Sequence, residues 1–168
     1  EVYVERLLAS EGREFFNFWM FGGNLDNQWK YMQLPHVVPM LGDAGAHVGF
    51  FTDTDSPTVL LSELTREQGV YSLPEAVHRI TGKSAAIIGL KERGELREGW
   101  HADINVIDYE NLSTCHPEYV NDFPHGGGRF VVKGKGYDAT IVGGKVIIKN
   151  GKHTGHRPGR VIREFVRG

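Results

Sequence analysis

The sequence predicts an α/β fold in two pieces, an α/β segment over residues 1–92 and a β segment over residues 93–168. Three observations carry that prediction. A strand-like run at 14–19, a short helical stretch and an apolar run at 36–42 succeed one another at βαβ spacing, which argues for a parallel sheet. Capped helical patterns then follow as far as Gly89. After about residue 93, β-branched runs separated by glycine turns replace the helical period.

Taken in order, Val4, Leu7 and Leu8 fall at helical spacing, so residues 2–11 read as an amphipathic helix closed by Gly12. "EFFNFW" (14–19) is aromatic and strand-like. "GNLDNQWKYMQL" reads as a short helix capped by Asn24. "HVVPMLG" (36–42) reads as a buried strand in which Pro39 forgoes one ladder hydrogen bond. Ser56-Pro57 opens the next helix, with Ser as cap and Pro in the first turn; it buries Leu60, Leu61 and Leu64 and stops at Gly69. Ser72-Leu73-Pro74-Glu75 has the form of a capping box, followed by Val77 and Ile80 on one face. "KSAAIIGL" adds a short helix ending at Gly89. A strand is expected over roughly 103–108, and "YDATIVGGKVIIKNGK" has the form of a hairpin turned by Gly143-Gly144.

The totals narrow the function classes. With 168 residues, 40% hydrophobic and 24% charged, the chain has the composition of a globular domain with a real core. No apolar run approaches the ~18 residues of a membrane helix, so no membrane partner is expected. The single cysteine, Cys115, excludes an internal disulfide and a multi-cysteine zinc site, and fits a reducing, cytoplasmic setting. The net charge of −2 hides an asymmetry. Residues 129–168 carry ten Lys and Arg against Asp138 and Glu164, a local +8, while residues 1–128 carry nine against nineteen acids, −10. That tail lacks interleaved aromatics for stacking bases, so nucleic acid is not the expected partner. A solvated strand face, docking on the chain's own acidic half, accounts for it.

The chemistry-bearing stretch is "MLGDAGAHVG" (40–49). Parallel α/β sheets place their chemistry at the carboxyl ends of strands, and Asp43 stands at such an end. Its small neighbours Gly42, Ala44, Gly45 and Ala46 leave room for a metal, a water or a substrate. On spacing alone, an Asp here is more often a helix cap or turn former.

Together, "VVPMLGDAGAHVG", the turn G-x-L-x-x-G-x-x-A-D from Gly94 to Asp103 and the closing "GKHTGHRPGR" resemble the C-terminal part of the metal-dependent amidohydrolases. Within them the chain is most similar to the N-acyl-D-amino-acid deacylase (D-aminoacylase) branch. The resemblance implies that residues 1–92 are the C-terminal portion of a (β/α)8 hydrolase barrel, its last βα units, with "FFNFW" as strand seven and "VVPMLG" as strand eight. Residues 93–168 would then be part of a β-sandwich. It further implies that Asp43 is the catalytic acid beside, and a ligand of, a zinc centre, moving a proton from the metal-activated water to the departing nitrogen. The substrate class implied is a small-molecule N-acyl-D-amino acid.

Around Asp43, His47, Asn17 and Phe50 are candidates for substrate binding; His47 serves equally as a loop residue and Asn17 as a turn residue. Phe50, Phe51, Asp53 and Asp55 are placed on one loop to shape an acyl or side-chain pocket, although the two acids read more readily as solvated; His36, His101, His125, His153 and His156 read as structural or surface residues. Members of the branch often carry Ser immediately before the aspartate, where this chain has Gly42.

A zinc hydrolase of this type also needs a His-x-His and further ligands on other strands, and this chain has no His-x-His. Two of eight strands leave an open sheet edge. With Glu1 in place of Met, the expectation is a C-terminal fragment whose partner is the missing N-terminal barrel portion. Such a chain alone is expected neither to bind zinc tightly nor to hydrolyse amides. Two other readings stand beside this one: a cyclic-amide hydrolase of the dihydroorotase or hydantoinase type, and a non-catalytic assembly module using the basic tail. Assembly as a homo-oligomer is compatible with each.

Overall fold

The computed structural model describes residues 1–14, 16, 25–39, 42, 45–49, 52–163 and 165. Asn17, Asn24, Asp43 and Phe50, and most of the expected strand at 14–19, lie outside them.

Helix α1 spans Val2–Ala9 and turns out through Glu11 and Gly12, both at positive φ; the Gly12 N–H donates to the Leu7 carbonyl at 2.8 Å. Among the described residues its apolar face is little covered: the helix has no fully buried residue, Leu8 is 75% exposed, and Tyr3 packs on Phe16 with ring centroids 4.3 Å apart. Helix α2 spans Leu25–Met32.

The expected strand at 36–42 is not formed over its described residues 36–39 and 42. The physical reason lies in the backbone's hydrogen-bonding partners. Val37 N–H closes a turn onto Leu34 O, and the Val37 carbonyl is taken by Arg79. Strand pairing among the described residues is antiparallel throughout, so the parallel sheet expected from the βαβ spacing is not formed there.

Ser56-Pro57 does open a helix, α3 (Ser56–Val59), but the cap is Asp55, one residue earlier; the Ser56 hydroxyl donates to Asp53 O at 2.7 Å instead. The chain then widens into a π-helix, Leu60–Glu67. Thr65 Oγ1 reaches Leu60 O, five residues back, at 2.7 Å. Leu60, Leu61 and Leu64 are buried as expected, and Gly69 at φ +64° follows the end. In α4 (Leu73–Ile80) Ser72 caps through the Glu75 N–H at 3.4 Å. The box is half-formed, because the Glu75 carboxylate turns to Arg79. The buried face of α4 is Ala76 and Arg79, while Val77 points outward. Helix α5 spans Gly82–Ile87 and ends in Gly89 at φ +72°.

The β segment holds three antiparallel units. Strands β1 (Ile104–Ile107), β6 (Tyr137–Val142), β7 (Lys145–Lys149) and β8 (Lys152–His153) form one sheet in the order β1-β6-β7-β8. Between them in sequence, β2 (Ser113–Thr114) pairs with β5 (Gly134–Lys135), and β3 (Glu118–Val120) with β4 (Arg129–Val131). The β6–β7 turn is Gly143-Gly144 with φ +53° and +75°, and Val142 faces Lys145 across it. Both residues are left-handed, as a primed two-residue turn requires.

One hydrophobic cluster gathers Leu60, Leu61, Leu64, Tyr71, Ala76 and Leu112, with Trp29, Met32, Ile80, Ile107 and Tyr137 packed on it. It thus contains side chains from both sides of residue 93. Two polar ties reinforce it. The Thr58 and Tyr137 hydroxyls lie 2.7 Å apart, and Arg66 Nη1 donates to Tyr109 O (2.6 Å) and Leu112 O (2.8 Å).

Candidate functional site

The segment that leads to Asp43 is held from behind chiefly by Arg79, with Lys83 Nζ donating to Pro35 O at 2.5 Å. Arg79 is 5% exposed and sits on the inner face of α4. Its Nη1 donates to the carbonyls of Met32 and Val37, both at 2.8 Å, and at 3.4 Å to Leu34 O, while Nη2 donates to Gln33 O at 3.4 Å. Its Nε donates to Glu75 at 2.6 Å, and its guanidinium stacks over the Tyr71 ring at 4.8 Å. A planar fork with five donors can gather several carbonyls at once, which an ammonium cannot do in the same geometry. Burial pushes the Tyr71 hydroxyl pKa up; the nearby Arg79 charge partly opposes this and Glu75 adds to it.

In front of that segment is a cavity of about 520 Å³ that reaches Gly42, the residue before Asp43. Trp29, Met32, Leu60, Leu64 and Ile80 supply an apolar wall, and Asp53 and Asp55 stand in the lining as carboxylates. Asp53 and Asp55 are half-buried, not solvated as the sequence suggested. A Cβ built on Gly42 would stand 2.7 Å from Asp53 Oδ2. The missing side chain at 42 is thus the space that the Asp53 carboxylate occupies. The cavity's size lies in the range of small-molecule sites, mostly apolar with a few placed polar groups.

The loop after Asp43 is fixed from the other side. Phe130 N–H on β4 donates to Val48 O at 2.8 Å, so residues 45–49 rest on the β segment. His47 lies on this loop, exposed, at φ +48°, and outside the lining of the 520 Å³ cavity. The structure therefore brings Gly42, Asp53 and Asp55 together and leaves His47 on the surface beside them.

The sequence offers Asp53 and Asp55 as pocket-shaping loop acids while favouring solvation, and it does not single out Arg79; both acids line the cavity. The signal for Arg79 was its position between Ala76 and Ile80 on a face otherwise apolar. For Asp53 the signal is its place on the loop after the Asp43 stretch; its fit against Gly42, a residue without a side chain, is not legible.

The motif from Gly94 to Asp103 has a structural use. Gly94 (φ +84°) abuts α5: a Cβ there would stand 2.7 Å from the Ala85 Cβ. Asp103 Oδ1 accepts from the Gly143 N–H at 2.9 Å, and Ala102 O from Gly144 N–H at 3.0 Å, so the motif anchors the hairpin turn. The closing motif is turn-forming: His153 Nδ1 accepts from Gly155 N–H at 2.9 Å, and Thr154 Oγ1 donates to Val146 O at 2.7 Å. Of the basic tail, Arg129 makes a two-pronged pair with Asp122 (2.7 Å on each prong), and Lys133 pairs with Glu118 at 3.0 Å. The Arg129 hydrogen bonds are the main cause that holds the Asp122 carboxyl below its ordinary range.

A metal of the kind the resemblance implies needs three or more converging donors. Among the described residues no three His, Cys, Asp or Glu converge in that way, and those residues do not fit such an ion. No helix among them is long and apolar enough to cross a membrane.

The Amidohydrolase family model matches residues 25–148. An N-acyl-D-aspartate deacylase of Alcaligenes xylosoxydans xylosoxydans is 38% identical over 106 residues, 62% of this chain and 19% of that protein. A dihydroorotase of Endomicrobium trichonymphae is 36% identical over 94 residues, 54% of this chain and 21% of that protein. Among solved structures, a D-aminoacylase variant in complex with CuCl2 superposes with a TM-score of 0.52 at 29% identity, covering 64% of this chain and 21% of that one. The chain thus spans about a fifth of the length of the relatives it matches.

Proposed function

The chain belongs to the Amidohydrolase family, near its D-aminoacylase branch, and from that premise we propose that it is the C-terminal part of an enzyme hydrolysing the amide bond of N-acyl-D-amino acids. The observation that carries this reading is the cavity beside Gly42: the stretch "GDAGAHVG" falls inside the matched residues, and a space of small-molecule size reaches its first residue, Gly42. In the same proposal, residues 1–92 supply the last units of a (β/α)8 barrel and residues 93–168 part of its sandwich.

Amide hydrolysis adds water across the C–N bond. One proton must leave the attacking water and one must reach the departing nitrogen, or the amine is too poor a leaving group. A single carboxylate at Asp43 does both, as base and then as acid, with no net change in its own charge. Asn17, His47 and Phe50 are proposed to line the approach of the acyl group or side chain. Arg79 acts behind the site by holding the 32–37 backbone. The zinc of the intact enzyme is assigned to donors outside the described residues, and no step above runs through it.

The relation to a dihydroorotase favours a second reading, opening of a cyclic amide. The two are separated by assaying the intact protein on N-acetyl-D-amino acids, their L-forms and dihydroorotate. The first reading predicts turnover of the D-forms at least about tenfold above the others, a difference of ~1.4 kcal/mol in transition-state binding. Faster ring opening of dihydroorotate would replace it by the second.

A further inference from the structure

A second cavity, of about 490 Å³, lies against the β6–β7 hairpin and shares no lining residue with the cavity beside Gly42. One part of its wall is cationic, from Arg93, Lys145 and Arg160, and another is apolar, from Val142, Pro158 and Ile162. Asp103 also lines it, but both of its oxygens are engaged: Oδ2 by Arg93 and Oδ1 by the Gly143 N–H. Lys145 and Arg160 form no ion pair among the described residues. Two exposed cations without an ion-pair partner among the described residues therefore line one concave space. Its volume is that of a site for a small organic ligand rather than for a bare ion. Mutual repulsion of such charges is relieved when an anion enters between them, and a guanidinium fork matches an oxyanion's geometry.

We propose that this cavity binds a small organic anion, a carboxylate or phosphate monoester carried on an apolar body. The oxyanion lies between Lys145 and Arg160, and the body rests on Val142, Pro158 and Ile162. The basic excess of residues 129–168 thereby has a local purpose, distinct from the pairs that Arg129 and Lys133 make with Asp122 and Glu118. The site is separate from the proposed reaction, so its failure leaves that reading untouched.

The test is titration calorimetry of the intact protein with benzoate and with phenyl phosphate, at low salt so that exposed charges are little screened. The variants are Lys145→Gln, the double Lys145→Gln/Arg160→Gln, and Arg13→Gln as control, because Arg13 is exposed and pairs with Glu11 outside the cavity. At least one probe is expected to bind with Kd below about 1 mM. Affinity should fall about threefold or more in the single variant and at least tenfold in the double, and stay unchanged in the control. The tighter probe identifies the head group. The proposal is overturned if neither probe binds at about 10 mM, or if the lysine variant and the double variant, folded by circular dichroism, bind both probes as the parent does.

Discussion

Gly42 and Asp53 form the closest fit in the candidate site. The Asp53 carboxylate stands where a side chain at 42 would begin, so Gly42→Ser forces the carboxylate or the backbone to move. The expected loss is about 0.5–1.5 kcal/mol, the cost of turning the Asp53 side chain off its preferred rotamer. Combining Gly42→Ser with Asp53→Ala should recover most of it, because the two residues share one space. Urea unfolding of the three variants measures this, and simple additivity would contradict the contact. Tyr71 makes a prediction of a different kind. Its hydroxyl pKa is raised in the fold, chiefly by burial, above the unfolded value of 10.0. The unfolded chain therefore loses this proton first. Stability should be fully present below pH ~10 and fall as pH rises from there through the folded pKa. Tyr71→Phe should flatten that decline in a pH series of denaturation midpoints.

Among the elements, α4 positions the site. Its Arg79 gathers carbonyls of residues 32–37, among them that of Val37, which the expected strand would have used in a ladder. Arg79→Ala leaves those carbonyls and Glu75 without their donor and should cost about 3–5 kcal/mol. Arg79→Lys keeps the charge but cannot hold the same set, so it should restore only part of the loss. Guanidinium unfolding midpoints decide the matter: equal stability of the Lys variant and the parent would contradict the clamp. The elements the sequence made legible are those whose signals are local. Gly143-Gly144 sets its own turn, Ser72 caps its own helix, and Leu60, Leu61 and Leu64 share one face. "HVVPMLG" misled because β-branched composition says that a segment is extended and half-buried, not which partner takes its carbonyls. Here that partner is a side chain some forty residues downstream. The cap at Asp55, in place of Ser56, is the smaller version of the same effect, since the Ser56 hydroxyl was committed to Asp53 O.

At the scale of the whole molecule, the order of motifs was readable and the assembled site was not. "DAGAHVG", the Gly94–Asp103 turn and the closing "GKHTGHRPGR" sufficed to indicate the family, and the match over residues 25–148 accords with that. The placement of Asp53 against Gly42, of Arg79 behind the segment, and of Phe130 beneath the loop depends on residues far apart in sequence. No spacing rule reaches that far. Leu8, Leu96 and Val161 stand at least three-quarters exposed, and large apolar side chains in that setting are natural contact points for further polypeptide. This accords with a chain that spans about a fifth of its relatives.

The central claim is that Asp43 moves the proton in amide hydrolysis. The most direct measurement is kcat and KM for an N-acetyl-D-amino acid with the intact enzyme and its Asp43→Asn variant, an isosteric change that removes the ionisable group. The account predicts a fall in kcat of about 10²–10⁴-fold, the usual share of a general acid–base residue, with KM and folding little changed. Unchanged kcat in a folded Asp43→Asn enzyme would contradict it.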